Sequence, residues 1–171
     1  MDRITNIKKI RIFIALSVLF FLIISLGYSF YLYSRATTVT KLTEIPTVES
    51  SGNVDFRVEI EKKKNLFKIT GWAIIQGEAF KDALSKYVLF SLEDNSFYEV
   101  RTWPFSSKRV VEFYDDSEET LENFQYDYAG MSAVVNKKQL KTKGEYKIYI
   151  LFDNGITKRF FDSGSVIVVE D

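Results

Sequence analysis

Glu145 to Gly155 reads EYKIYILFDNG. Its first eight residues alternate in the period-2 pattern of a half-buried strand. Asp153-Asn154-Gly155 is the strongest hairpin signal in the chain, because a type I′ turn needs positive φ at two residues. The expectation is an antiparallel hairpin continued by Ile156 to Phe161 and closed by Ser165 to Val169.

The pattern recurs upstream. Val54, Phe56, Val58 and Ile60 are apolar, with Asp55, Arg57 and Glu59 between them. Lys62-Lys63-Lys64-Asn65 reads as a charged hairpin tip, and Leu66 to Ile75 as the returning strand. Gly71 within that strand predicts a bulge or a close backbone approach. Residues 77–86, GEAFKDALSK, fit either a short helix (Ala79, Phe80, Ala83, Leu84) or a loop. Lys86 to Leu92 and Phe97 to Trp103 read as paired strands across a Glu93-Asp94-Asn95-Ser96 turn, with Pro104 ending the second.

Between Phe105 and Asp127 the strand signal lapses. Lys108 to Tyr114 fits a helical turn. Asp116-Ser117-Glu118-Glu119 has capping-box spacing and starts a short helix through Phe124. Gly130 to Val135 is a strand and Asn136 to Leu140 a turn or helical turn. About eight short strands with turn signals every ~8–12 residues predict an all-β, antiparallel, immunoglobulin-like sandwich over residues 54–171.

Ahead of it lies Ile12 to Tyr33, IFIALSVLFFLIISLGYSFYLY, with no charged residue. A bilayer-spanning helix needs ~20 apolar residues. Arg3, Lys8, Lys9 and Arg11 precede the run, opposed by Asp2, whereas Arg35 and Lys41 follow it. This asymmetry predicts a cytoplasmic N-terminus, with Tyr28, Phe30, Tyr31 and Tyr33 at the outer interface. A cleaved signal peptide would have a core of ~7–15 residues and a small-residue cleavage site. Bulky aromatics occupy those positions here. The predicted layout is a cytoplasmic tail (1–11), a transmembrane helix (12–34) and an extracytoplasmic stalk (35–53) before the sandwich. The stalk is expected because ATTVTKLTEIPTVESSGN, residues 36–53, keeps no period of 2 or 3.6. Ser25, Gly27 and Ser29 read as ordinary lipid-facing residues or as a face for a partner helix.

Five of the 23 basic residues and one of the 23 acidic ones lie at or before Arg35. The remaining 18 and 22 leave the outer portion near −4, against nucleic acid as a partner. There is no Cys and no His. Thiol nucleophiles are excluded, as are the commonest neutral-pH base and the commonest metal ligand. No catalytic set, metal site or cofactor is expected. Without disulfides the domain must be held by its core, which over 100 residues can supply.

Trp72, mid-strand among apolar neighbours, reads as the central core aromatic, or as a sugar platform if exposed. Trp103 lies at a strand end with Arg101 two residues back on the same face. The pair fits either a rim covering the core or a site for a sugar ring and an anionic group together. Tyr126-Asp127-Tyr128 fits a polar groove or a loop whose rings pack down. Glu112, Asp115, Asp116, Glu118, Glu119 and Glu122 form an acidic segment without the Gly turn of a calcium loop, which favours a solvated connection. Lys62 to Lys64 fit a solubilising tip or a contact with anionic lipid or wall phosphate.

Phe67-Lys68-Ile69-Thr70-Gly71-Trp72-Ala73 resembles the opening of small extracytoplasmic β-sandwich domains on bacterial cell-surface and envelope-polysaccharide proteins. Gly130-Met131 stands where those domains have Gly-aromatic. Leu140-Lys141-Thr142-Lys143-Gly144-Glu145-Tyr146 is a longer form of their Leu-x-x-Gly-x-Tyr step. Arg109-Val110 stands where Arg-x-Asp-Val is commoner, and lacks the Asp. The resemblance spans Val54 to Val169. It implies a sandwich on a membrane anchor, accessory to surface-polymer assembly. Together these readings predict a non-enzymatic single-pass protein that docks on an integral membrane partner in the envelope. The alternative is direct binding of cell-wall or capsular polysaccharide.

Overall fold

One uninterrupted helix, α1 (Asp2–Ala36), carries the N-terminal apolar run. Its segment Ile12–Ala36, with mean hydropathy 2.4, is long and apolar enough to cross a membrane. At ~1.5 Å per residue it exceeds a ~30 Å hydrocarbon core. The computed structural model describes residues 2–44, 47–79, 84–106, 126–140 and 142–170, the side chains of 2–11 and 127 excepted. The expected features at Lys108 to Tyr114 and Asp116 to Phe124, the acidic segment, and Arg109-Val110 lie outside the described residues.

Thr37–Asp171 forms a second compact unit. Its strands are β1 (Val39–Lys41), β2 (Val54–Lys62), β3 (Leu66–Ile75), β4 (Lys86–Ser91), β5 (Ser96–Val100), β6 (Thr102–Phe105), β7 (Gly130–Asn136), β8 (Gly144–Asp153) and β9 (Lys158–Val169). They form two antiparallel sheets, ordered β1-β5-β4-β8-β9 and β2-β3-β7-β6. The inner faces share one core. Phe67, Ile69, Ala73, Ala133 and Val135 come from the four-stranded sheet, and Tyr87, Leu89, Ile148, Ile150 and Phe161 from the five-stranded one. The apolar alternation of β2 and β8 is therefore what fixes which face turns inward.

Several local readings are corrected. Phe97 to Trp103 is two strands: the chain leaves the five-stranded sheet at Val100 and enters the four-stranded one at Thr102. Thr102 fastens the crossing, its Oγ1 donating to Val100 O at 3.1 Å and accepting from Tyr87 N at 3.0 Å. Pro104 lies within β6. An edge strand paired only with β7 tolerates its missing N–H. The Asp153-Asn154-Gly155 hairpin forms, but only Gly155 has positive φ (80°), so the turn is not type I′. Asn154 is fully buried, and its Oδ1 accepts from Ile156 N and Thr157 N, which holds a longer loop. Ile156 to Phe161 and Ser165 to Val169 merge into β9 through a register shift opposite Ile148/Tyr149. There Ser163 Oγ donates to Ile148 O at 2.6 Å.

The largest correction concerns residues 36–53, expected as an unpacked stalk. Two residues, Thr37 and Thr38, separate α1 from β1, and β1 pairs with β5. Leu42 N then donates to Phe97 O (2.8 Å), and Glu49 N to Phe160 O (2.7 Å). Arg159 pairs with Glu49 at 3.0 Å. Thus the described residues on either side of 45–46 attach to β5 and β9, and Leu42 packs on a second apolar cluster of Val88, Phe97, Tyr149 and Phe160. Phe97 and Tyr149 meet edge-to-face with ring centroids 5.4 Å apart. Buried aromatic area, which a periodicity test on the segment itself does not see, holds it down.

Candidate functional site: the outer face of the four-stranded sheet

Directly opposed residues of antiparallel strands point to the same face. With Phe67, Ile69 and Ala73 turned to the core, the outer face of the four-stranded sheet follows from the registers. One rung is Arg57, Trp72, Gly130 and Phe105; the next is Glu59, Thr70, Ser132 and Trp103. A third holds Glu61, Lys68 and Val134. Aromatics of β6 therefore stand along one side and charged residues of β2 along the other. Short side chains, Thr70, Ser132 and Gly130, lie between.

The middle stays shallow for a packing reason. A Cβ on Gly130 would lie 2.4 Å from Phe105 O and 3.1 Å from the Phe105 ring, so only glycine admits that ring. A groove of about 530 Å³ opens over this face, lined among others by Arg57, Glu59, Lys68, Thr70, Trp72 and Phe105. Such a volume lies within the ordinary range of small-ligand sites.

Arg101 and Trp103, singled out by their spacing, are brought together. The Arg101 guanidinium carbon sits 5.7 Å from the centre of the Trp103 ring, within cation–π range. Arg101 is exposed and Trp103 half-buried. Among the described residues Arg101 has no carboxylate partner, and neither does exposed Lys68. Arg57 pairs with Glu59 at 3.1 Å and Lys63 with Glu61 at 3.2 Å, which neutralises the β2 side.

The tyrosine triplet divides. Tyr126 is buried, its hydroxyl donating to Ile75 O (3.1 Å) and accepting from Gly77 N (2.6 Å). It packs down as part of the core. Tyr128 is 54% exposed. The Asp127 side chain lies outside the described residues. Trp72 is 3% exposed and belongs to the core cluster, so it offers no open stacking surface. Among the described residues no group of three metal-ligating side chains converges.

Below the face, Gly71 fulfils its expected close approach: a Cβ there would lie 2.0 Å from Arg57 O and 2.8 Å from the Tyr87 hydroxyl oxygen. That hydroxyl is buried without a hydrogen-bond partner among the described residues. Burial, and then the charge of Glu59, holds it protonated far above the usual tyrosine range. The residues that sequence reasoning missed are Lys68, Thr70, Ser132 and Phe105. Their strands were legible, but only the pairing register puts them on one face with Trp103. No protein-family model, curated protein or solved structure matches the chain.

Proposed function

We propose that this chain is a non-enzymatic, single-pass membrane protein whose extracytoplasmic domain binds envelope polysaccharide during surface-polymer assembly. The outer face of the four-stranded sheet would be the binding face. The carrying observation is the Arg101–Trp103 stack beside a shallow polar strip and a groove of about 530 Å³. An aromatic ring offers an apolar sugar face a stacking surface, and flanking short polar side chains leave room for a chain to lie flat. The orientation rests on the basic residues Arg3, Lys8, Lys9 and Arg11, which favour a cytoplasmic N-terminus. An immunoglobulin-like layout is the finer fold reading, supported by two antiparallel sheets with a shared core and a strand that crosses between them.

A second reading, docking on an integral membrane partner, is favoured by α1, whose apolar side chains from Ile12 to Tyr33 are exposed. Full-length protein in lipid nanodiscs separates the two. Under the first reading it retains solubilised envelope polysaccharide, and Trp103→Ala abolishes retention at unchanged melting temperature. A stoichiometric membrane protein that co-purifies equally with wild type and Trp103→Ala, with no retained polysaccharide, would instead establish the second.

A further inference from the structure

We infer that the ligand of this face is an acidic saccharide, held by Lys68 and Arg101 on either side of Val134 with its ring against Trp103. The inference rests on the binding face proposed above and adds the chemical class of its occupant.

Three observations carry it. First, Lys68 pairs in register with Val134, and Arg101 lies one residue before Thr102, which pairs with Ala133. Lys68 therefore stands on one side of β7, and Arg101, at the crossing into β6 where its backbone N donates to Thr38 O, on the other. At ~4.8 Å per strand their backbones are roughly 10 Å apart, a gap that two long side chains can close onto one anion. Second, both are exposed and have no carboxylate partner among the described residues, whereas the face's other basic side chain, Arg57, is paired with Glu59. The unneutralised charge of the face is therefore positive and local, although residues 36–171 carry a net negative charge. A free polymer charge that fits must be negative, and guanidinium and ammonium groups bind carboxylate or phosphate oxygens with charge-assisted hydrogen bonds. Third, the adjacent rung pairs Thr70 with Ser132 and Ser132 with Trp103, so two hydroxyl-bearing residues stand beside the ring. Both residues are half-buried, and neither hydroxyl has a partner among the described residues. Paired hydroxyls next to an aromatic ring match the hydroxyls and apolar face of a pyranose. A bare anion would use the cations but leave these groups idle, and an acidic peptide has no reason to need Trp103 beside two hydroxyls.

Full-length protein in nanodiscs is titrated with three probes: an oligogalacturonate, its methyl ester with the same rings and no charge, and poly-glutamate with charge and no rings. The expected result is about tenfold tighter binding of the acid than of the ester, weakened by salt. Lys68→Gln and Arg101→Gln should each cost the acid about 3–10-fold, and each should cost the acid more than the ester. Equal binding of acid and ester overturns the acidic assignment while the face remains a saccharide site. Poly-glutamate binding as tightly as the oligogalacturonate overturns it in favour of plain charge attraction. Absence of binding by either saccharide overturns both this inference and the function it rests on.

Discussion

Gly71→Ala tests whether the approach of β2 and β3 beneath the proposed face is as close as described. The added methyl would lie 2.0 Å from Arg57 O and 2.8 Å from the Tyr87 hydroxyl oxygen, both far inside van der Waals contact. Neither neighbour yields easily. Arg57 O belongs to the backbone of a nine-residue strand paired along its whole length with β3. Tyr87 is fully buried. Relief requires β2 to move outward by over an ångström, which weakens neighbouring ladder hydrogen bonds at about 1 kcal/mol each, on top of about 1–3 kcal/mol for overpacking. The expected loss is about 2–4 kcal/mol, or a fall of roughly 8–15 °C in Tm for a domain of this size. Thermal and urea unfolding of the full-length protein in detergent, followed by near-UV circular dichroism, measure it. Tyr87→Phe removes a hydroxyl that is buried without a partner among the described residues, so by itself it should be nearly neutral. Combined with Gly71→Ala it should recover about 1 kcal/mol, readable as a coupling in a double-mutant cycle. Gly71→Ala within about 0.5 kcal/mol of wild type would refute the close approach.

Other outcomes follow from the same packing. Thr102→Val keeps the shape but strips the acceptor from Tyr87 N, and should cost about 1–3 kcal/mol in urea unfolding. Asp94 gives a pH signature. Burial works against its charge, but the hydroxyls of Tyr98 (2.5 Å) and Ser91 and the Lys41 ammonium outweigh it and hold the carboxyl below the usual range. A depressed folded-state pKa stabilises above the unfolded value and is lost as pH falls through the folded one. Wild type should therefore lose stability more steeply than Asp94→Asn below about pH 4, in unfolding curves taken across pH 2–7. Leu42→Ala should cost about 1–2 kcal/mol and speed limited proteolysis between β1 and β2, because Leu42 packs on the Phe97–Tyr149–Phe160 cluster.

The legible and illegible parts of the fold divide by the range of the interactions that decide them. β2 and β8 were readable because one face of each is buried, which prints period 2 on the sequence. β3 was readable as a strand but not by face: Gly71 to Ile75 is buried on both sides, so alternation vanishes there. The Phe97, Tyr149 and Phe160 cluster hides for a related reason. These rings occupy the opposite face to the main core, and Leu42, from a segment with no pattern of its own, packs on them. Its described residues are held by backbone donors at Leu42 and Glu49 that find strands distant in sequence. Pro104 misled because edge position is a property of the whole sheet. At the site, Arg101 and Trp103 were legible from spacing i, i+2 within one strand direction. Lys68, Thr70 and Ser132 join them only through the registers of β3 with β7 and β7 with β6.

The most direct test of the binding face is photo-crosslinking in living cells. A photoreactive side chain is placed at Thr70, between the ridges of the proposed face, and separately at Val168, exposed on the other sheet. The account predicts that the Thr70 probe gives adducts that stain for carbohydrate and resist protease, that Trp103→Ala abolishes them, and that the Val168 probe gives none. Carbohydrate adducts from Val168 alone, or adducts at Thr70 that protease digests completely, would contradict it.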